Sequence, residues 1–491
     1  MRILNAETLW SHGNKKGRRD IVEILETGLE AADPYHNMLK LIRVEDGKLI
    51  VGNHDFEPSG TPRPGDELYD LSKIGRVYVF GAAKGVQRAA KAIEDLLGER
   101  LAGGQVIDKE GAEITLKRIG VTLGGHPVPD EGCVLGCRRI LEMCKDLQEE
   151  DLVFTIVGNG VSSLLTLPVS GVSLEDVRRA TYIMQIDRGA PTSDLNPIRN
   201  HLDLMKGGRI SKYLQPARAI HIILYDPDSP LGAPAPDAYA TLMHHNLWLH
   251  TLPDCTTFAD AKAMLEKWEA WKHMPISVRE HILRADPNLE TVKASEYERM
   301  RFRVFGVMPW FLGMLPSAQK KAAELGYQAH TLCTFIQAEA AQVGITLASI
   351  AKTIEREGVP FKPPCALFTN GELLVTVGKE TGVGGRNQEY VLAAAQQIAG
   401  SQNIVMGAVD SDGTDGPGAQ FTDKAETTPT LAGGIVDGAT LEEALAAGVD
   451  IYDALRRHDT TPALWQLRSG IVATPNVGVN DLGVTLVMGS R

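Results

Sequence analysis

A recurring junction most constrains how this chain can fold: a short apolar run, a glycine turn, then a helix. "GRVYVFGAAKG" carries a buried-strand pattern into glycine, and "VQRAAKAIEDLLG" continues with apolar residues at helical spacing. "DLVFTIVGNG" and "ARAIHIILYDPD" repeat the strand half of the pattern. Short apolar runs separated by helical segments predict α/β layers with largely parallel sheets. Such sheets gather ligands at the loops after the strand C-termini, and the glycine loops found here fall in that position. Two proline-rich stretches, "DPDSPLGAPAPDA" and "EGVPFKPPCA", read as a surface loop and a linker. A chain of 491 residues has room for two domains. We place a large one over 1–300 and a smaller one over 301–491.

Net charge is −12, and no basic run is longer than "NKKGRR". Nucleic acid and anionic membrane surfaces are therefore poor partners, and an anionic ligand must be met by positive charge concentrated locally. The cysteines form no CxxC pair. Cys133, Cys137 and Cys144 share one helical stretch and read as buried free thiols, as suits a reducing compartment. "MRILNAETLW" lacks the apolar core of a signal peptide. "VFTIVGNGVSSLLTLPVSGV" reads as buried strand, glycine loop and short helix rather than as a membrane span. A cytoplasmic protein is expected.

Four segments carry candidate chemistry. Lys84 follows the first strand, where a lysine beside exposed backbone can sit on a phosphate. "IVGNGVSSLL" places Gly158, Asn159, Gly160 and Ser162 after a second strand, a composition that can nest an anion. It matches neither the GxxxxGK[ST] phosphate loop nor the GxGxxG dinucleotide fingerprint. "NPIRNHLDLMKGGR" sets Arg199 and Lys206 seven residues apart, either as a solvated basic helix face or as a clamp for carboxylate or phosphate. "IVMGAVDSDGTDGPG" ends a strand on Asp410, Asp412 and Asp415, a spacing that suits Mg2+ bridging phosphate oxygens. Between these lies "GELLVTVG", read as a strand, then the glycine loop "TGVGGRNQEY", then a helix. Unpaired N–H groups at a helix start attract anions, and Arg386 adds a planar charged fork. Together the set predicts phosphoryl transfer to a small acidic metabolite.

The chain resembles the glycerate 2-kinase family, whose C-terminal unit is called the MOFRL domain. The resemblance is carried by "YDLSKIGRVYVFGAAKG", "GGHPVPDEG", "RNHLDLMKGGR", "LPDCTTFADA", "NGELLVTV", "GVGGRNQE", "DSDGTDGP" and "GGIVDGAT", in the family's order. It implies a Rossmann-like N-terminal domain with a parallel sheet, a smaller C-terminal α/β domain, and a cleft between them. It also implies ATP, Mg2+ and glycerate or a related small hydroxy acid as reactants. The family's catalytic lysine and arginine fall on Lys84 and Arg386. Gly158, Asn159, Gly160, Ser162, Arg199, Lys206, Glu372, Gly384, Gly385, Asn387 and Glu389 are expected to hold substrate or nucleotide, and Asp412 and Asp415 the metal. A homodimer stays open as its assembly. The chain departs from the family at "VGNGVSS", where an uninterrupted glycine loop is usual, and at "LWLHT", which replaces a Ser-Gly-Pro before "LPD". "QFTDKAETTPTL" reads as an insertion. A relative that has lost kinase activity and only binds ligands is one alternative. A hydroxypyruvate reductase is another, although the chain shows no clean nicotinamide fingerprint.

Overall fold

The computed structural model describes residues 2–229, 231, 233–416, 428–474 and 481–489, so most of "QFTDKAETTPTL" lies outside the described residues. The chain divides into two compact units, Pro34–Pro309 and Met1–Asp33 with Trp310–Arg491. The first 33 residues thus group with the C-terminal unit and not with the first domain, where the sequence places them.

Within Pro34–Pro309, a small antiparallel sheet runs β1 (Ile42–Glu45), β2 (Lys48–Val51) and β3 (Glu67–Asp70). The main sheet comprises β4 (Val77–Ala82), β5 (Leu101–Lys109), β6 (Gly120–Gly124), β7 (Leu152–Val157), β8 (Arg218–Ile223) and β9 (Phe302–Gly306). Its spatial order is β6-β5-β4-β7-β8-β9, and every pairing is parallel. Read in chain order this is 3-2-1-4-5-6, the doubly wound dinucleotide-fold order. All six residues of β7 are buried, as a strand covered on both faces requires. Cys133, Cys137 and Cys144 lie on the helix Glu131–Cys144 with their side chains in the core, free and buried as expected. The connections after β7 carry a satellite of helices, including Leu174–Tyr182, Thr192–His201, Phe258–Lys267 and Ile276–Arg284, around a second apolar cluster.

The other unit holds β10 (Gln328–Ile336), β11 (Cys365–Gly371), β12 (Ile404–Asp410), β13 (Gly433–Asp437), β14 (Gly470–Ile471) and β15 (Asp481–Val487), ordered β10-β11-β15-β12-β13-β14. Of these strands β10 and β11 pair in parallel, and the remaining strand pairings are antiparallel. The expectation of largely parallel sheets fails here at the edge, where β13 and β14 add antiparallel beyond β12, and in the middle of the sheet. β11 and β12 run the same way, but the last strand, β15, inserts antiparallel between them. The strand expected at "GELLVTVG" is also displaced. β11 ends at Gly371, and beyond it Leu374 makes a single bridge, to Glu339, while Leu374 and Val377 are exposed. The helix Arg386–Gln397 starts where the glycine loop ends and is buried along most of its length. Among the described residues no helix is long and apolar enough to cross a membrane.

Candidate active site

In the parallel sheet the strand order reverses between β4 and β7, so the loops after these two strands flank the crevice where such folds bind ligands. Lys84 and Asn159 occupy those loops and are joined, the Lys84 N–H donating to the Asn159 carbonyl at 2.8 Å. Gly160 adopts φ +87°, and a Cβ there would stand 2.9 Å from Lys84 Cγ and 3.3 Å from His126 Cδ2. A side chain there would crowd the lysine, so the position is kept for glycine. Gly158 packs by Leu224 and Ala83. The loop from "GGHPVPDEG" joins the same place, for Ser163 Oγ donates to the Gly125 carbonyl at 2.9 Å.

Two groups missed by the sequence reading complete this end of the sheet. Asp108, at the end of β5, accepts from Gly85 N–H at 2.9 Å and from Gln87 Nε2 at 3.0 Å. The start of the helix Val86–Leu97 is thereby capped by the chain's own carboxylate, whose pKa burial raises. His250 lies 2.9 Å from Ser162 Oγ through Nε2 and is buried. Burial, with Lys206 and Arg199 adding, holds its imidazole well below the usual histidine range.

Arg199 and Lys206 do not share a helix. Arg199 lies in Thr192–His201, and Lys206 follows after that helix has ended. Lys206 is a buried structural cation, its Nζ 2.7 Å from both Asp203 Oδ2 and Thr166 Oγ1. Arg199 is buried as well, but it has no carboxylate partner among the described residues and meets only Gln185 Oε1, at 3.3 Å. Desolvation pushes its pKa down to about 10, a sign of how poorly its charge is compensated.

The glycine loop of the other unit is an anion clamp, and its anions are internal. Asp415 accepts from the N–H groups of Asn387 at 3.1 Å and Gln388 at 2.9 Å, so its carboxylate sits on the start of the helix Arg386–Gln397. Asn387 Nδ2 adds a third donor at 3.1 Å. Gly385 must be glycine because a Cβ would run into the Asp415 carboxylate; Gly384 lies equally close to Thr460. Arg386 is held by three carboxylates: Nε to Asp481 Oδ2 at 2.6 Å, Nη2 to Asp410 Oδ2 at 2.9 Å, and Nη1 to Glu372 Oε1 at 3.2 Å. Asp410 and Asp481 are buried, and Glu372 is exposed. Glu389 is buried and pairs with His458 Nδ1 at 2.6 Å; burial raises its pKa.

Asp412 and Asp415, the expected metal pair, both already accept hydrogen bonds from the backbone. Both oxygens of Asp415 are committed to the helix start. Asp412 sits in the following turn, its Oδ1 accepting from Thr414 N–H at 2.9 Å. Among the described residues no three His, Cys, Asp or Glu side chains converge to hold an ion. Asp481 and His458 are not singled out by the sequence, since each reaches the loop through sheet pairing or packing that no local motif announces.

Residues 20–232 match a domain model described as of unknown function, DUF4147, and residues 365–481 match the MOFRL family. A glycerate 2-kinase of Pyrococcus horikoshii is 32% identical over 476 residues, covering 96% of this chain and 97% of that protein. A D-glycerate 2-kinase of Thermotoga maritima is 33% identical over 417 residues, covering 84% of this chain and 91% of that protein. The crystal structure of glycerate kinase from Thermotoga maritima is similar with a TM-score of 0.71 at 30% identity, over 96% of this chain and 100% of that one. Matched along nearly its whole length by such proteins, and carrying a MOFRL domain at its C-terminal end, this chain belongs to the glycerate kinase family.

Proposed function

We propose that this chain transfers a phosphoryl group from ATP to a hydroxyl of glycerate or a related small hydroxy acid. The observation that carries the reading is the switch-point crevice, where Lys84, Asn159 and the left-handed Gly160 form a cationic backbone cradle. A phosphoryl group needs little covalent help from a protein; positioning and charge compensation do the work. Lys84 supplies a compact charge to the phosphates. Arg199, buried without a carboxylate partner among the described residues, is suited to the acid's carboxylate. Arg386 acts through Nη1, because its other nitrogens face buried Asp410 and Asp481 while Nη1 meets only exposed Glu372, which a ligand anion can replace. Magnesium is expected to arrive with the nucleotide, its ligands chiefly phosphate oxygens and water.

The same geometry disfavours hydride transfer. In a dinucleotide fold the pyrophosphate takes the helix start after the first strand. Here the Gly85 N–H at that start is taken by Asp108 and is not offered to a dinucleotide pyrophosphate. The test is thermal stabilisation followed by turnover. ATP–Mg2+ is expected to raise the melting temperature in proportion to ln(1 + [L]/Kd), and a panel of three- to six-carbon hydroxy acids is expected to include one that drives ATP consumption. Stabilisation by NADH without stabilisation by ATP would overturn the proposal. Stabilisation by ATP with no turnover on any acid would favour a ligand-binding relative.

A further inference from the structure

Beside the cradle, the chain keeps a set of buried polar groups that its own fold leaves unanswered. Asn196 is fully buried, and neither its Nδ2 nor its Oδ1 finds a hydrogen-bond partner. His250 is buried with Nδ1 unpartnered, as is Asn200 Oδ1. Arg199 is the buried cation described above. These groups belong to one place. Asn196, Arg199 and Asn200 are spaced i, i+3 and i+4 on the helix Thr192–His201, so they share a face. Asn200 Nδ2 donates to the Leu247 carbonyl at 2.9 Å, which ties that helix to the segment bearing His250. His250 then reaches Ser162, at the head of the glycine loop. A buried donor or acceptor left unmade costs about 1–3 kcal/mol, so a fold that holds several together is matched to something that completes them.

We infer that Asn196 and His250 form the subsite that recognises the hydroxyl groups of the acceptor acid, with His250 as its specificity-determining residue; this rests on the kinase reading above. In the neutral tautomer whose Nε2 accepts the Ser162 hydroxyl proton, the ring proton resides on Nδ1 as an unspent donor. Asn196 offers one donor and one acceptor. Arg199 offers the charge. A cation, two donors and an acceptor are the complement of an α-hydroxy carboxylate, whose carboxylate accepts and whose hydroxyl both donates and accepts. His250 stands in "LWLHT", just before "LPD", where the resemblance to the family is interrupted. Buried polar groups of this kind reject analogues that lack the matching hydroxyl far more strongly than an apolar pocket rejects a misfit.

Calorimetric titration without nucleotide tests this. D-glycerate and 3-hydroxypropionate, which lacks the 2-hydroxyl, are titrated into the unaltered chain and into His250→Gln, His250→Asn and Asn196→Leu. Gln places its amide nitrogen near the Nε2 position and abandons Nδ1; Asn does the reverse. The expected result is a loss of D-glycerate affinity of tenfold or more in His250→Gln and Asn196→Leu, with His250→Asn within about threefold of the parent. 3-hydroxypropionate is expected to bind the parent at least tenfold more weakly than D-glycerate. ATP affinity is expected to be unchanged in His250→Gln and Asn196→Leu. Asn196→Leu is also expected to melt no lower than the parent, because it removes two unmet polar atoms; this separates lost binding from lost folding. Equal acid affinity in the parent and in both Gln and Leu variants overturns the subsite while leaving the kinase reading intact. Failure of the parent to bind or phosphorylate any hydroxy acid overturns both.

Discussion

At the scale of single residues, the two family cations sit in opposite electrostatic settings. Arg386 is surrounded by Asp410, Asp481 and Glu372, while Lys84 stands in a half-buried loop beside left-handed glycine. Both are expected to stabilise charge in the transition state, so Lys84→Ala and Arg386→Lys should each lower turnover by about a hundredfold, as removal of one such stabiliser does. Their structural consequences should differ. Lysine cannot reproduce the fork that spans Asp410 and Asp481, and loss of a partner leaves a buried carboxylate uncompensated at a cost of about 2–3 kcal/mol for this partly exposed pair. Arg386→Lys should therefore lower the melting temperature as well as the rate, and Lys84→Ala should lower chiefly the rate. Kinetics and calorimetry on the same preparations check this. A Lys84→Ala variant with its full rate per folded molecule would remove the lysine from the chemistry.

At the scale of elements, the helix Arg386–Gln397 shows what is legible in the sequence and what is not. Its start is legible, because glycines followed by a polar cluster after an apolar run mark a strand-to-helix junction. Its anion is not. Asp415 lies far along the chain, and its return to the helix depends on the path after β12, which no local pattern encodes. Asp108 at Gly85 repeats the lesson on the other sheet. In both units an apparent phosphate loop has its helix start answered from within. The capping carboxylate has a measurable consequence. Burial and the nearby charge of Asp481 push the Asp415 pKa up to about 6, against the pull of Asn387, Gln388 and Arg386. A carboxyl raised in the folded state stabilises the fold fully below its unfolded pKa of about 4, and that contribution is lost as pH rises through the folded value. Between about pH 4 and 6 the parent should lose up to about 3 kcal/mol from this group, because each tenfold change in proton affinity on folding is worth about 1.36 kcal/mol. Asp415→Asn, neutral throughout, should lack that component. Melting curves of the two proteins across this range give the difference directly, and parallel curves would mean that the Asp415 pKa does not change on folding.

At the scale of the whole molecule, the α/β layers are legible from repeated strand–glycine–helix junctions, and the Rossmann-like domain and second α/β unit from the family resemblance, but the path of the chain between units is not. An amphipathic helix announces one apolar face and says nothing of which sheet receives it. Lys15–Ala31 buries Ile21, Val22, Ile24, Leu25 and Leu29, and its partners include β12, β15 and the helix Met314–Glu324, all in the C-terminal unit. Gly407 of β12 is kept small by Ile21 and Leu25 above it. The same helix carries Arg18, fully buried and paired with buried Asp437 of β13. Five buried apolar side chains at about 1.5–3 kcal/mol each amount to roughly 7–15 kcal/mol, comparable to the entire stability of an ordinary domain. Removing residues 1–33 should therefore unfold the C-terminal unit even though its own sheet is untouched. Differential scanning calorimetry of the truncated chain is expected to show the loss of one transition, and near-ultraviolet circular dichroism the loss of tertiary signal. Adding a peptide of residues 1–33 should restore both, and the same peptide carrying Arg18→Ala should not, because it leaves Asp437 buried without its cation, at about 3–5 kcal/mol. A truncated chain that melts like the parent would show that the first helix decorates the C-terminal unit rather than completing its core.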